Sequence, residues 1–310
     1  MSQIDHAPRT EAIPGVRLRW WTELPLILLV YGAYSAGRLL ARGDVSAAVD
    51  HGLALLRAEQ AVHLNLEHPL NRLFTREPWL GVPADFWYAS LHYVVTPAVL
   101  IWLFRRRAHL YRAARTWLMT STLIGLIGFT MLPTCPPRLL AAGHGFVDTM
   151  AQYSSYGWWG GAASAPKGLG GMTNQYAAMP SLHVGWALWC GVMLWRNGRS
   201  PYAKAVGVAY PLITTIVVMG TANHYFFDAL AGVAVMGAGL LLTKPVTLVA
   251  ERIRDRVNTV LAGASQAAPS ATRSSNVSGE CQTPQGERIP RQRKSATSHD
   301  TGDGAAAPAR

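Results

Sequence analysis

The sequence predicts an all-α, polytopic membrane protein: a bundle of six transmembrane helices with amphipathic surface helices and a disordered C-terminal tail. Three observations carry that expectation. Hydrophobic residues make up 50% of the chain and charged residues 15%, against roughly 25% charged in soluble domains. The charges crowd into short connectors and the tail, and between them lie apolar runs of about 17–22 residues, the length that crosses a bilayer. The N-terminus, the 105–115 connector, the 196–204 connector and the tail are the strongly basic segments. All four fall on one side of a six-span arrangement, and the positive-inside rule makes that side cytoplasmic.

In chain order, residues 1–21 form a basic cytoplasmic N-terminus with Arg9, Arg17 and Arg19, closing on Trp20 and Trp21 as an interfacial anchor. The first span, 24–40, starts late and is long enough to stay as an anchor rather than a cleaved leader. Across 44–78, Val45, Val49, Leu53, Leu56, Val62, Leu66, Leu70 and Leu73 recur near helical spacing, while Asp50, Arg57, Glu59, Glu67 and Arg72 intervene. That pattern fits one or two amphipathic helices on the membrane surface or over the bundle. His51, His63 and His68 in this stretch read as solvated or interfacial. The second span, 83–104, carries His92, and an ionisable group inside a span is a functional candidate, a hydrogen bond to a neighbouring helix being the alternative. Arg105, Arg106, Arg107, Arg112 and Arg115 crowd the next connector.

The third span, 116–132, closes at Pro133. A long outer loop, 134–179, follows, rich in Gly, Pro and aromatics; such a loop inside a compact bundle carries function. Its Trp158 and Trp159 read as interfacial anchors. The remaining spans are 181–195, 205–220 and 224–243, the last with Gly232, Gly237 and Gly239 to allow close helix approach. Lys244 marks its end. A short amphipathic piece, 246–261, leads into a tail of Ser, Ala, Gln, Pro and Arg that cannot bury enough apolar surface to fold. The expected organisation is therefore 1–21, a six-span domain at 22–245, and a cytoplasmic basic tail at 246–310.

The net charge of +11 does not indicate nucleic acid as a partner, because the excess sits beside spans and in the tail, where it sets topology and meets anionic lipid. Membrane lipids are the expected partners. Cys135, Cys190 and Cys281 are far apart and odd in number, so neither a disulfide framework nor a metal site is indicated. Oligomeric state leaves no mark on the sequence.

Two stretches carry the chemistry, MPSLHVGWALW (179–189) and GTANHYFFDALAG (220–232). His224 and Asp228 stand four residues apart and share one helix face. A carboxylate there accepts from one imidazole nitrogen and leaves the other basic. Ser181 and His183 stand at a helix start, where free N–H groups and the dipole favour an anion. Arg138, stiffened by Pro136 and Pro137, offers a fork of donors suited to phosphate. Lys167 and Tyr225 complete the candidate substrate contacts. All these residues fall on the outer face of the six-span arrangement, and a basic histidine opposite an anion site suggests phosphoryl transfer.

PSLH (180–183) and HYFFD (224–228), with PPR (136–138) upstream, resemble the signature of the type 2 phosphatidic acid phosphatase superfamily. Their form is similar to its inositolphosphotransferase-like branch, which includes the fungal inositol phosphorylceramide synthases. The resemblance covers residues 20–245. It implies a six-helix membrane core and catalysis through a phosphohistidine without metal or cofactor. It also implies His224 as nucleophile, Asp228 as its orienting carboxylate, His183 as general acid and base, and Ser181 with Arg138 around the phosphate. Two positions depart from the phosphatase pattern. Leu182 replaces the glycine of PSGH, and Val218 stands where an arginine precedes the second histidine by six residues. Phosphate charge then falls to Arg138 and Lys167.

The implied activity is a phosphotransferase working on a phospholipid or lipid phosphate at the extracytoplasmic face, moving an inositol-phosphate-type headgroup. A lipid phosphate or diphosphate phosphatase is the rival enzyme reading. A transporter or scaffold is the alternative of another class, and it would keep its ionisable groups near mid-membrane rather than at helix starts.

Overall fold

A computed structural model of the chain describes residues 20–40, 44–159 and 174–267. Two compact units divide the chain, Met1–Thr259 and Val260–Arg310, and the described part of the second is the helical stretch 260–267.

The described residues form these helices: α1 (Trp20–Leu40), α2 (Val45–Ala61), α3 (Glu67–Arg76), α4 (Pro78–Phe86), α5 (His92–Arg106), α6 (Ala108–Met131), the short α7 (Thr149–Gln152), α8 (Leu182–Asn197), α9 (Pro201–Gly220) and α10 (Phe226–Ala267). One π-helical turn, Trp87–Leu91, joins α4 to α5. The described residues hold no strand, only an isolated bridge between Thr134 and Ala177.

Among the described residues, three helical stretches are long and apolar enough to cross a membrane: Pro78–Arg106, Pro201–Gly220 and Phe226–Val260. The sequence reading expects six. The other three regions are helical where expected but fall short for identifiable reasons. In α1 the apolar stretch among the described residues is Glu23–Ala33. α6 begins with Arg112 and Arg115 inside the helix, and Arg115 is ion-paired with Glu23 of α1. α8 has 16 residues, about 24 Å at 1.5 Å per residue, short of a hydrocarbon core of roughly 30 Å. A second correction concerns the last span. α10 runs through Lys244 and Pro245 without a break, so the expected amphipathic piece is a continuation of the same helix.

The outward faces are greasy. Val206, Val208, Leu212 and Ile216 of α9 are exposed, as are Leu230, Val233, Leu240 and Leu241 of α10. A water-soluble protein would cover such a surface; it matches a lipid surround, and the protein is membrane-embedded. Inside, tryptophan N–H groups tie helices together. Trp117 donates to Met236 O at 2.7 Å, Trp189 to Ala114 O at 3.1 Å, and Trp87 to Thr214 Oγ1 at 3.0 Å. An indole N–H buried among apolar groups needs such a partner.

Close approach explains two of the three glycines singled out in α10. A Cβ at Gly232 would collide with Ser181 O, and one at Gly239 with Ser121 Oγ, whereas Gly237 faces open space.

Helices α2 and α3 lie over the bundle, α3 packing on α9. Asn71 of α3 donates to Gly220 O at 3.0 Å and to Val147 O at 2.9 Å. Their charges do not all face outward as an amphipathic surface helix would have them: Glu59 and Glu67 are fully buried. His51 and His68 are tied to loop carbonyls, Pro133 O and His144 O, each at 2.8 Å, while His63 is exposed. Trp159 is also buried, its indole N–H on Met150 O, so only Trp158 reaches the surface.

Candidate functional site

The site is assembled where α9 ends and α10 begins. The intervening turn is tight: Ala222 sits at φ 53, a left-handed conformation that costs a non-glycine residue about 1 kcal/mol or more. Neighbouring bonds hold it there. Val218 O accepts from Asn223 N at 3.0 Å and His224 N at 3.1 Å, and Ala222 O accepts from Arg138 N at 2.9 Å. Val218 itself is fully buried in the core, so its place contributes a carbonyl and no charge.

His224 Nδ1 lies 2.9 Å from Ala178 O and 3.4 Å from Asp228 Oδ2. The carbonyl and the carboxylate both accept, so Nδ1 carries the hydrogen and Nε2 keeps the lone pair in the neutral ring. Nε2 makes no hydrogen bond among the described residues. Asp228 is fully buried, and its Oδ2 also accepts from Tyr225 N at 2.9 Å.

His183, in the first turn of α8, brings its ring centroid to 5.7 Å from that of His224, the planes at 59°. Tyr88 stacks on His183 at 4.5 Å, and His92 meets it edge-on at 4.5 Å. Tyr88 lies in the π turn and His92 directly follows it. Such turns recur at functional sites because the extra residue re-aims the side chains around it. The structure therefore puts His92 beside His183, against α8, where the Trp186 ring also lies 5.9 Å from it.

Arg138 occupies a 3-10 turn, Pro137–Leu139, that follows Pro136. Its Nε donates to Asn223 Oδ1 and its Nη1 to Asp148 Oδ2, both at 2.9 Å, leaving Nη2 uncommitted among the described residues. His183, His224, His92 and Arg138 line one cleft with Asn174, Gln175, Asn223, Tyr31, Tyr93, Phe129 and Trp186.

The remaining candidates fall elsewhere. Ser181 is fully buried and outside the cleft lining: it caps α8, accepting from Val184 N at 3.4 Å, while its N–H donates to Asp228 O at 2.9 Å. It locks the two motifs together rather than facing a ligand. Tyr225 is likewise fully buried, its hydroxyl donating to Cys135 O at 3.0 Å. Lys167 lies outside the described residues. Asp148 and Asn223, which hold Arg138, went unmarked in the sequence reading, as did the burial of Glu59 and Glu67 beneath the first turn of α10. Burial pushes the Glu59 carboxyl up to about 9, with the Glu67 carboxyl beside it acting in the same direction. Among the described residues no group of three His, Cys, Asp or Glu side chains is arranged to hold a metal ion.

An apolar helical bundle whose helix starts gather imidazoles around a guanidinium has the equipment of a membrane-embedded phosphate-handling protein. The family model of the PAP2 superfamily matches residues 53–242, a stretch that includes every described member of the cleft's histidine and arginine set. The chain belongs to the PAP2 superfamily, and its function is of the phosphatase or phosphotransferase type. No curated protein and no solved structure matches it.

Proposed function

We propose that the protein is a membrane phosphotransferase acting on a phospholipid or lipid phosphate through a phosphohistidine on His224, at the extracytoplasmic face. The observation that carries this reading is the tautomer of His224. Two acceptors on Nδ1 leave Nε2 nucleophilic in a cleft that also holds His183 and Arg138. In the first step Nε2 attacks phosphorus, the bond to the leaving oxygen breaks, and His183 gives that oxygen a proton. Arg138 offsets charge on the equatorial oxygens. In the second step a hydroxyl attacks phosphorus, loses its proton to His183, and the P–N bond breaks.

When the attacking hydroxyl belongs to an alcohol the product is a new phosphodiester or monoester; when it belongs to water the enzyme is a lipid phosphate phosphatase. The PSLH and HYFFD forms favour the alcohol, with an inositol-phosphate-type headgroup as the group moved. No step calls for a metal ion or cofactor.

His224→Ala and His183→Ala in the purified protein, assayed against a panel of phospholipids with and without inositol, test this. Each is expected to abolish turnover while the protein stays folded, and wild-type turnover is expected to survive a chelator. Near-normal activity in either variant removes the mechanism. Solvent oxygen labelled with a heavy isotope separates the two outcomes: label in released phosphate means hydrolysis, and a phosphorylated alcohol without it means transfer.

A further inference from the structure

Glu59, near the end of α2, and Glu67, the first residue of α3, are fully buried acids that the proposed chemistry does not use. Glu67 Oε1 accepts from Phe226 N at 2.5 Å, and Glu59 Oε1 accepts from Phe227 N at 2.6 Å. Asp228 Oδ2 accepts from Tyr225 N. Three consecutive N–H groups, beginning one residue after His224, therefore end on three carboxyl groups. A helix start attracts negative charge, yet one side-chain acceptor is the usual cap, and acids this close cannot all be ionised together.

The other oxygens of the pair point to the remedy. Glu59 Oε2 and Glu67 Oε2 are both buried without a hydrogen-bond partner among the described residues, and the donors on the adjacent residues Phe226 and Phe227 bring the two carboxyl groups side by side. One proton between those oxygens satisfies both. We infer that Glu59 and Glu67 share a single proton and, as a clamp on Phe226 and Phe227, are positioning residues that set the aim of His224; this rests on the reading of His224 as nucleophile.

The clamp acts through Asp228. Its oxygen is 3.4 Å from Nδ1, so a small shift of the first turn of α10 breaks this contact before the shorter one to Ala178 O. The groups facing the pair are Asp228, the Tyr225 hydroxyl and the first N–H groups of α10. Above about 9 the shared proton leaves, and the second charge then repels Asp228.

Glutamine separates the possibilities, because it keeps the acceptor for the backbone and replaces the other oxygen with a donor. One glutamine facing one carboxylate is satisfied; two glutamines present donor to donor. With phosphatidic acid in mixed micelles as the probe, Glu59→Gln and Glu67→Gln are each expected to lower kcat less than about threefold. The double variant is expected to lose at least about tenfold in kcat with KM held within twofold. Glu59→Gln is also expected to flatten the alkaline limb of the kcat profile.

Infrared difference spectra of wild type against Glu59→Gln are expected to show a protonated-carboxyl stretch lost in the variant. A double variant with wild-type kcat, or one that loses only thermal stability, overturns the positioning role. Absence of the infrared band overturns the shared proton. Should the double variant fail to fold, Glu67→Asp withdraws the acceptor from Phe226 and is expected to lower kcat about tenfold; an unchanged kcat there overturns the clamp. A wild type silent on every lipid phosphate removes the functional reading instead, and the infrared difference still decides the pair.

Discussion

His224 is held by two acceptors of unequal reach, Ala178 O at 2.9 Å and Asp228 Oδ2 at 3.4 Å. The shorter is a backbone carbonyl that no substitution removes. Asp228→Asn therefore leaves the tautomer in place and is expected to lower kcat roughly 10–100-fold, well short of the ~10⁴-fold seen where a carboxylate alone fixes a catalytic histidine. Steady-state kinetics against wild type check this. Glu59 gives a pH prediction. Folded protein keeps its proton up to about 9, whereas the unfolded chain gives it up near 4.5. Between those values the native state binds more protons, so stability falls as pH rises and levels off above the upper value. Melting temperatures in detergent across that window are expected to decline, and Glu59→Gln is expected to remove most of the slope. The histidines and Asp228 were legible in the sequence because reactive side chains stood at the start of long apolar runs. Glu59 and Glu67 were not, because their partners are the N–H groups of Phe227 and Phe226, and a backbone donor has no signature in the residue type that carries it.

Among the elements, α8 and α10 are registered by contact rather than by side-chain chemistry. Ser181 N donates to Asp228 O, and Gly232 lets Ser181 O come closer than any Cβ would permit. Gly232→Ala is expected to cost about 1–3 kcal/mol and to lower kcat as well, since the same shift moves His183 away from His224. Gly237→Ala is the contrast: nothing lies near it, and alanine is the better helix former by about 1 kcal/mol, so stability should hold or rise. Paired thermal melts and rate measurements distinguish the two. The glycines were visible in the sequence, but which of them makes the contact depends on the rotation of α10 against α8 and α6. Helix positions were legible from apolar periodicity. The extension of α10 through Pro245 was not, because proline and lysine together read as a stop. Tyr225 and Ser181 show the opposite error: side chains inside a motif look functional in sequence, and packing turns them inward to a carbonyl and a cap.

At the scale of the whole molecule, the orientation we propose has the basic connectors on one side and the site on the other. Impermeant thiol reagents test it. With the native cysteines replaced, Tyr202→Cys in the 196–204 connector region is expected to react only after the cells are opened, and Val62→Cys at the end of α2 in intact cells. Both positions are exposed, and the reverse pattern would invert the topology. The cleft draws on segments scattered from Tyr31 to His224, and the two buried acids meet donors 159 and 168 residues further along the chain. A ribosome thus delivers Glu59 and Glu67 long before anything exists for them to grip. A chain cut short before residue 226 therefore holds both acids without the donors they grip in the finished protein.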